Sequence, residues 1–156
     1  MTSATAKMNR EVKFTRLLDA PRELVFKAWA DPTQIAKWWG PHHFTNPVCE
    51  IDLRVGGALR IVMRGPDGSD YPMKGIFREI KAPEKLSFTN IATDTNGNYL
   101  LEGFTNVTFS AEGDKTRMIV VTRATGLVPI AEQMLEGMEA GWSQSFERLE
   151  ALISKK

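Results

Sequence analysis

The sequence predicts an α+β domain in which an antiparallel sheet curls around one long C-terminal helix. Three observations carry that prediction. In the last stretch, Pro129 to about Ile153, the apolar residues Ile130, Met134, Met138, Trp142, Phe146, Leu149 and Ile153 recur with the stepping of one helical face. From Cys49 to Thr122 the period is two, in short runs parted by turn signals. The links between those runs are too short for crossovers, so consecutive strands pair antiparallel.

The helix is read first because the rest must cover it. Glu132, Glu136, Glu139, Glu147 and Glu150 fall mostly away from the apolar stripe, as on a solvated back, and Pro129 suits the first helical position. At 1.5 Å per residue such a helix is roughly 37 Å long, about the span of a small domain. Gly137 and Gly141 lie four apart, nearly in line with the stripe. They imply either a close approach to a neighbour or room left for a guest. Close packing is the favoured reading, because a glycine costs a helix roughly 1 kcal/mol.

Taken in order, Glu11 to Leu18 alternates as a half-buried strand, with Val12, Phe14 and Leu18 inward. Pro21 opens a short helix carrying Leu24, Val25, Ala28 and Trp29. Asp31 caps a second, with Pro32 at its first position and Gln34 as capping-box partner. That helix carries Ile35, Trp38 and Trp39 until Gly40-Pro41 stops it. Strands then follow through Cys49–Leu53, Leu59–Met63, Tyr71–Ile80, Leu86–Ile91, Leu100–Ala111 and Met118–Thr122. The order is strand, two short helices, six strands, long helix. It leaves a space between the concave face of the sheet and the helix.

Composition narrows the functional classes. A chain of 156 residues with 42% hydrophobic and 25% charged content is ordinary for a soluble globular domain. We read residues 1–10, MTSATAKMNR, as a flexible leader and residues 11–156 as one domain. A net charge of +1, with bases scattered among acids, argues against a nucleic-acid partner. The single cysteine, Cys49, forms no internal disulfide and fits a reducing, cytoplasmic setting. No apolar run approaches the roughly 20 residues of a membrane span.

Six motifs then carry a resemblance. They are Ala28-Trp29-Ala30-Asp31-Pro32, Trp38-Trp39-Gly40-Pro41, Asp52-Leu53-Arg54 with Gly56-Gly57, Met63-Arg64-Gly65-Pro66-Asp67-Gly68, Glu79-Ile80 with Pro83-Glu84-Lys85-Leu86, and Glu139-Ala140-Gly141-Trp142. In this order and over about Val12 to Leu152, the set resembles bacterial proteins related to the C-terminal domain of the heat-shock chaperone (Hsp-ninety) ATPase activator. That family lies in the START-like, helix-grip superfamily (SRPBCC), with the polyketide cyclases and the Bet v allergen group. The resemblance implies the helix-grip fold and a cavity between sheet and C-terminal helix. It names no reaction.

Trp29, Trp38, Trp39, Met63, Tyr71, Met73, Phe77, Phe88, Phe104, Met134, Met138 and Trp142 are the candidate lining of that cavity. Any one of them alone is better read as core; the set is read as a pocket. Arg54, Arg60, Arg78, Asn90, Glu102, His42 and His43 are the polar candidates, each set against an exposed strand residue or local salt bridge. Asn90 shares a face with Leu86 and Phe88, and Glu102 with Leu100 and Phe104, so Glu102, Asn90 and Arg78 are the weak catalytic candidates. His42-His43 reads as a surface loop pair, Asp67-Gly68-Ser69-Asp70 as a hairpin turn, and Cys49 as a small buried residue. There is no GxSxG, GxxxxGK[ST], GxGxxG or HExxH. No metal or cofactor is expected.

Three functions stay open on this reading. The first is binding of a small hydrophobic ligand, a lipid or aromatic metabolite, in the cavity. The second is acid–base chemistry of cyclase or dehydratase type in the same cavity. The third, from the resemblance, is a chaperone-interaction or stress-response module. Homodimerisation through a sheet edge or the Trp38-Trp39 region is also open.

Overall fold

The computed structural model describes residues 9–154. Among them, strands β1 (Asn9–Leu18), β2 (Thr45–Ile51), β3 (Ala58–Arg64), β4 (Asp70–Lys81), β5 (Lys85–Thr93), β6 (Tyr99–Glu112) and β7 (Lys115–Gly126) form one sheet. Its order is β1-β7-β6-β5-β4-β3-β2, antiparallel throughout. Five hairpins account for β2 to β7, so β1 and β2 end up at opposite edges. The segment between them carries α1 (Arg22–Ala30) and α2 (Pro32–Trp38) across the sheet's width. There α1 meets β6 and β7, while α2 meets β2. The helix-grip α+β fold is the predicted one.

Local chemistry explains the short helices. Asp31 caps α2 by accepting from the Thr33 backbone N–H at 2.9 Å and from its hydroxyl at 2.7 Å. Those two bonds from Thr33, with no bond from the Gln34 side chain, make the cap. They hold the Asp31 carboxyl below the usual carboxylate range. Strand β1 begins at Asn9, two residues inside the predicted leader; residues 1–8 lie outside the described residues.

The long helix differs from its prediction. It is two helices, α3 (Ala131–Glu136) and α4 (Met138–Ile153), joined at Gly137. Pro129 and Ile130 form the turn before α3. At Gly137 the backbone has φ −87° and ψ −1°, outside the α-helical pair near −63° and −42°. Glycine has almost no intrinsic helix preference to resist that departure.

Burial along the helical stripe is graded. Phe146, Leu149 and Ile153 are buried, Trp142, Met138 and Met134 are half-buried, and Ile130 is 57% exposed. The buried end packs with Leu18, Val25, Trp29, Trp38, Phe88 and Val107 into one core. Phe146 meets Phe14 edge-on at 5.2 Å between ring centroids.

Polar contacts fix α4 against the end of α2. Arg148 Nη1 donates to the carbonyls of Trp39, Gly40 and Pro41 at 3.1, 2.9 and 3.0 Å, and Nη2 to that of Lys37 at 3.1 Å. Ser145 Oγ accepts from the Gly40 N–H at 2.9 Å and donates to the Gly141 carbonyl at 3.0 Å. Hydrogen bonds from a charged donor contribute roughly 1.5–3 kcal/mol. Arg148→Met should therefore lower the unfolding free energy in urea by about 2–3 kcal/mol, and Arg148→Lys should recover less than half of that loss.

Candidate functional site

The half-buried end of the stripe does not reach the sheet. Between α3, the first half of α4 and the sheet lies a cavity of about 560 Å³, within the range of small-molecule sites. Its roof is Gln133, Met134, Gly137, Met138, Gly141 and Trp142; its floor includes Met63, Met73, Asn90, Ala92 and Leu101. Trp39, Gly40 and Pro41 close one end. Tyr71 and Ile130 also line it and are 43% and 57% exposed, which marks the mouth.

The predicted aromatic and methionine set divides. Trp39, Met63, Tyr71, Met73, Met134, Met138 and Trp142 line the cavity. Trp29, Trp38, Phe77 and Phe88 are at most 1% exposed and belong to the core behind it. All four tryptophans still act together. Trp29 touches Trp38, Trp39 and Trp142 at ring-centroid distances of 4.8, 6.4 and 6.3 Å, and Trp39 meets Trp142 edge-on at 5.3 Å. This cluster makes the inner end of the cavity a rigid aromatic wall.

Phe104 lies on the other face of the sheet. With Glu102, Arg78, Ile76, Thr89, Ile91 and Arg123 it lines a shallow outer groove, and the Arg123 guanidinium sits 5.5 Å from the Phe104 ring centroid. Glu102 does share a face with Phe104, as predicted, but that face points away from the helix. Inward positions of β6 are Gly103, Thr105, Val107 and Phe109, set by the pairings Asn90–Gly103, Phe88–Thr105 and Leu86–Val107. Leu100 lines the cavity because the ladder shifts register between Ala92 and Thr93. A second shift, between Phe77 and Glu79, turns Ile80 onto the core side, opposite Leu86.

Of the catalytic candidates, only Asn90 faces the cavity. Its Oδ1 accepts from Thr105 Oγ1 at 2.9 Å, and Thr105 Oγ1 lies 2.8 Å from Thr122 Oγ1. Both threonines are fully buried. Neither was singled out in the sequence, although Thr122 continues the inward run of Met118 and Val120. Arg54 pairs with Asp52 at 2.9 Å and Arg60 with Glu50 at 3.6 Å, both at the surface. His42 Nε2 lies 2.9 Å from Glu147 Oε1, and the adjacent His43 adopts φ +74°. Among the described residues, no cluster of three or more His, Cys, Asp or Glu could hold a metal.

Gly137 and Gly141 are not points of close packing. A Cβ built at Gly141 would come no nearer than 4.0 Å to Pro41 Cγ, and at Gly137 no nearer than 3.7 Å to the Gln133 carbonyl. Both line the cavity. The favoured sequence reading is thus reversed, and the missing side chains leave open space.

These features define an α+β helix-grip domain of START-like type, with an apolar cavity under a broken C-terminal helix. The sequence model of the family described as "Activator of Hsp90 ATPase homolog 1-like protein" matches residues 19–154, and the chain belongs to that family. Solved structures agree over nearly the whole chain. A Chromobacterium violaceum protein is 28% identical, with 94% of this chain and 98% of that one covered and a TM-score of 0.82. A Mycobacterium smegmatis protein is 27% identical, covering 97% and 94%, with a TM-score of 0.77. One from Arthrobacter aurescens is 26% identical, covering 97% and 89%, with a TM-score of 0.79. Comparison with curated proteins gives no match. Among the described residues, no helix is long and apolar enough to cross a membrane.

Two predictions follow from this geometry. Gly141→Ala makes only an ordinary contact with Pro41 and improves helix propensity, so it should raise stability by about 0.5–1 kcal/mol in urea unfolding. Cys49, whose thiol is pushed up to about 11 by burial and by the nearby Asp31 and Glu50 charges, stays protonated at neutral pH. Its alkylation by iodoacetamide at pH 8 should run roughly a hundredfold slower than that of an exposed cysteine with a pKa of about 8.5, and should rise about tenfold per pH unit until it levels off near pH 11.

Proposed function

We propose that this protein binds a small hydrophobic molecule, lipid-like or aromatic, in the cavity between the sheet and α3–α4. The observation that carries the reading is the failure of one apolar stripe to reach its sheet. Met134, Met138 and Trp142 stand half-buried over Met63, Met73 and Leu101, with a volume of about 560 Å³ between them. Methionines adapt to irregular guests, whereas the tryptophan wall fixes one end. Acid–base chemistry of cyclase type has less support. Glu102 and Arg78 lie on the outer face, and among the described residues the cavity lining holds no Asp, Glu, His, Lys or Arg.

The test is titration with a neutral apolar fluorophore such as N-phenyl-naphthylamine, read by its emission and by tryptophan quenching, beside native mass spectrometry of the purified protein. Wild type should bind one equivalent saturably. Gly141→Leu, whose side chain enters the open space, should weaken binding by about tenfold or more while the fold is kept. Absence of saturable binding, together with a clean apo mass, would overturn the reading.

A further inference from the structure

The cavity has few polar groups, and the hydrogen-bond pattern gives one of them a direction. Asn90 lies on β5 facing Gly103 of β6 in register. A Cβ at position 103 would overlap the Arg123 carbonyl and lie 3.2 Å from Asn90 Nδ2. Bare backbone at Gly103 therefore gives the amide room to lie along the floor.

A threonine hydroxyl has one proton to give. The proton of Thr105 goes to Asn90 Oδ1, so the contact between the two threonines requires Thr122 to donate to Thr105. The result is a one-way chain from Thr122 through Thr105 to Asn90. The amide oxygen is occupied and the NH2 group is the free end. Among the described residues no atom accepts from Nδ2, and Asn90 lines the cavity. Two other polar side chains of the lining are already matched. Ser145 bonds Gly40 and Gly141, and the Thr93 hydroxyl donates to the Asp94 carbonyl.

Two ligand classes fit this floor poorly. A carboxylate would lie in an apolar cavity with no lysine, arginine or histidine among its lining residues, and an unpaired buried charge is strongly disfavoured. A plain hydrocarbon would displace water from the amide N–H and return no acceptor. Resting on the reading of this cavity as a ligand site, we propose that its ligand is an uncharged carbonyl compound. The carbonyl oxygen accepts from Asn90 Nδ2, and the apolar body lies among Met73, Met134, Met138 and Trp142. Donation along the threonine chain polarises the amide and strengthens that bond.

The test uses three matched probes in isothermal titration: propionyl-dimethylaminonaphthalene, its propyl analogue lacking the carbonyl, and the corresponding naphthalene carboxylate. Wild type should bind the ketone about tenfold tighter than the propyl compound, the upper end for one net hydrogen bond, and the carboxylate weakest. Asn90→Leu should lose the preference for the ketone, its affinities for the ketone and the propyl compound becoming equal. Asn90→Asp, which keeps the acceptor for Thr105 and lacks the donor, should also lose it. The infrared ketone band should lie lower in wild type than in either variant. Equal affinity for ketone and propyl probe in wild type, tightest binding of the carboxylate, or a preference that survives both substitutions would overturn the proposal and leave apolar binding intact. Failure of all three probes to bind would overturn the cavity reading itself.

Discussion

The end of α2 sets a hydrogen-bonding problem that much of the molecule is arranged to solve. Gly40-Pro41 stops the helix abruptly, and the carbonyls of Lys37, Trp39, Gly40 and Pro41 are left facing α4. Buried carbonyls need donors. Arg148 supplies them from the far end of the chain, and Ser145 takes the Gly40 N–H. Because these two residues flank Phe146 on α4, the bonds also seat that ring against Phe14 and bring Trp142 to Trp39. One junction thus fixes the position of α4, the inner wall of the cavity, and the loop that closes its end.

The N-terminal half of α4 is tied only near the surface, by Arg10 to Glu139 at 3.3 Å and by Arg16 to Ser143 at 3.4 Å, and its apolar stripe stands over the cavity. The four-residue spacing of Trp142, Met138 and Met134 continues the stripe, but the backbone departs from helical geometry at Gly137 and α3 is only six residues long. A helix packed along its whole length would bury every member of the stripe equally. The stripe instead grades from buried Ile153 to exposed Ile130, while Ala131 and Leu135 of α3 are buried and α3 meets β7, so the helices are seated at both ends of the cavity. The same asymmetry appears in the sheet. At one end Leu86, Val107 and Phe109 are buried in the core, with Phe109 edge-on to Phe26 of α1, whereas Ala92, Leu100 and Leu101 at the other face empty volume.

Much of the architecture was legible because periodicity and turn chemistry are local. The strand order, the two short helices and the apolar stripe all rest on signals within a dozen residues of each other. The face of each strand was less legible. Glu102 and Phe104 were correctly placed together but on the wrong side, since parity alone does not say which face is covered. Ile80 and Leu100 each take their face from a register shift with no marker in the sequence. Arg148 was invisible for a different reason. Nothing in its neighbours announces that a guanidinium will cap a turn more than a hundred residues earlier.

Glycines 137 and 141 bear on why this end of the domain stays open. Neither has a positive φ, and neither lies under a neighbour that an added Cβ would strike. Packing therefore gives no reason for glycine at either position, and at Gly141, inside α4, it costs helix stability relative to alanine. What the two positions share is the roof of the cavity, where any larger residue would subtract volume. A domain optimised only for stability would fill that space with a leucine, as it fills the equivalent positions at Phe146 and Leu149. Local rules of helix composition fail here at the site, and hold along the rest of α4. The open volume thus coincides with the two positions where the helix gives up side chain and stability together.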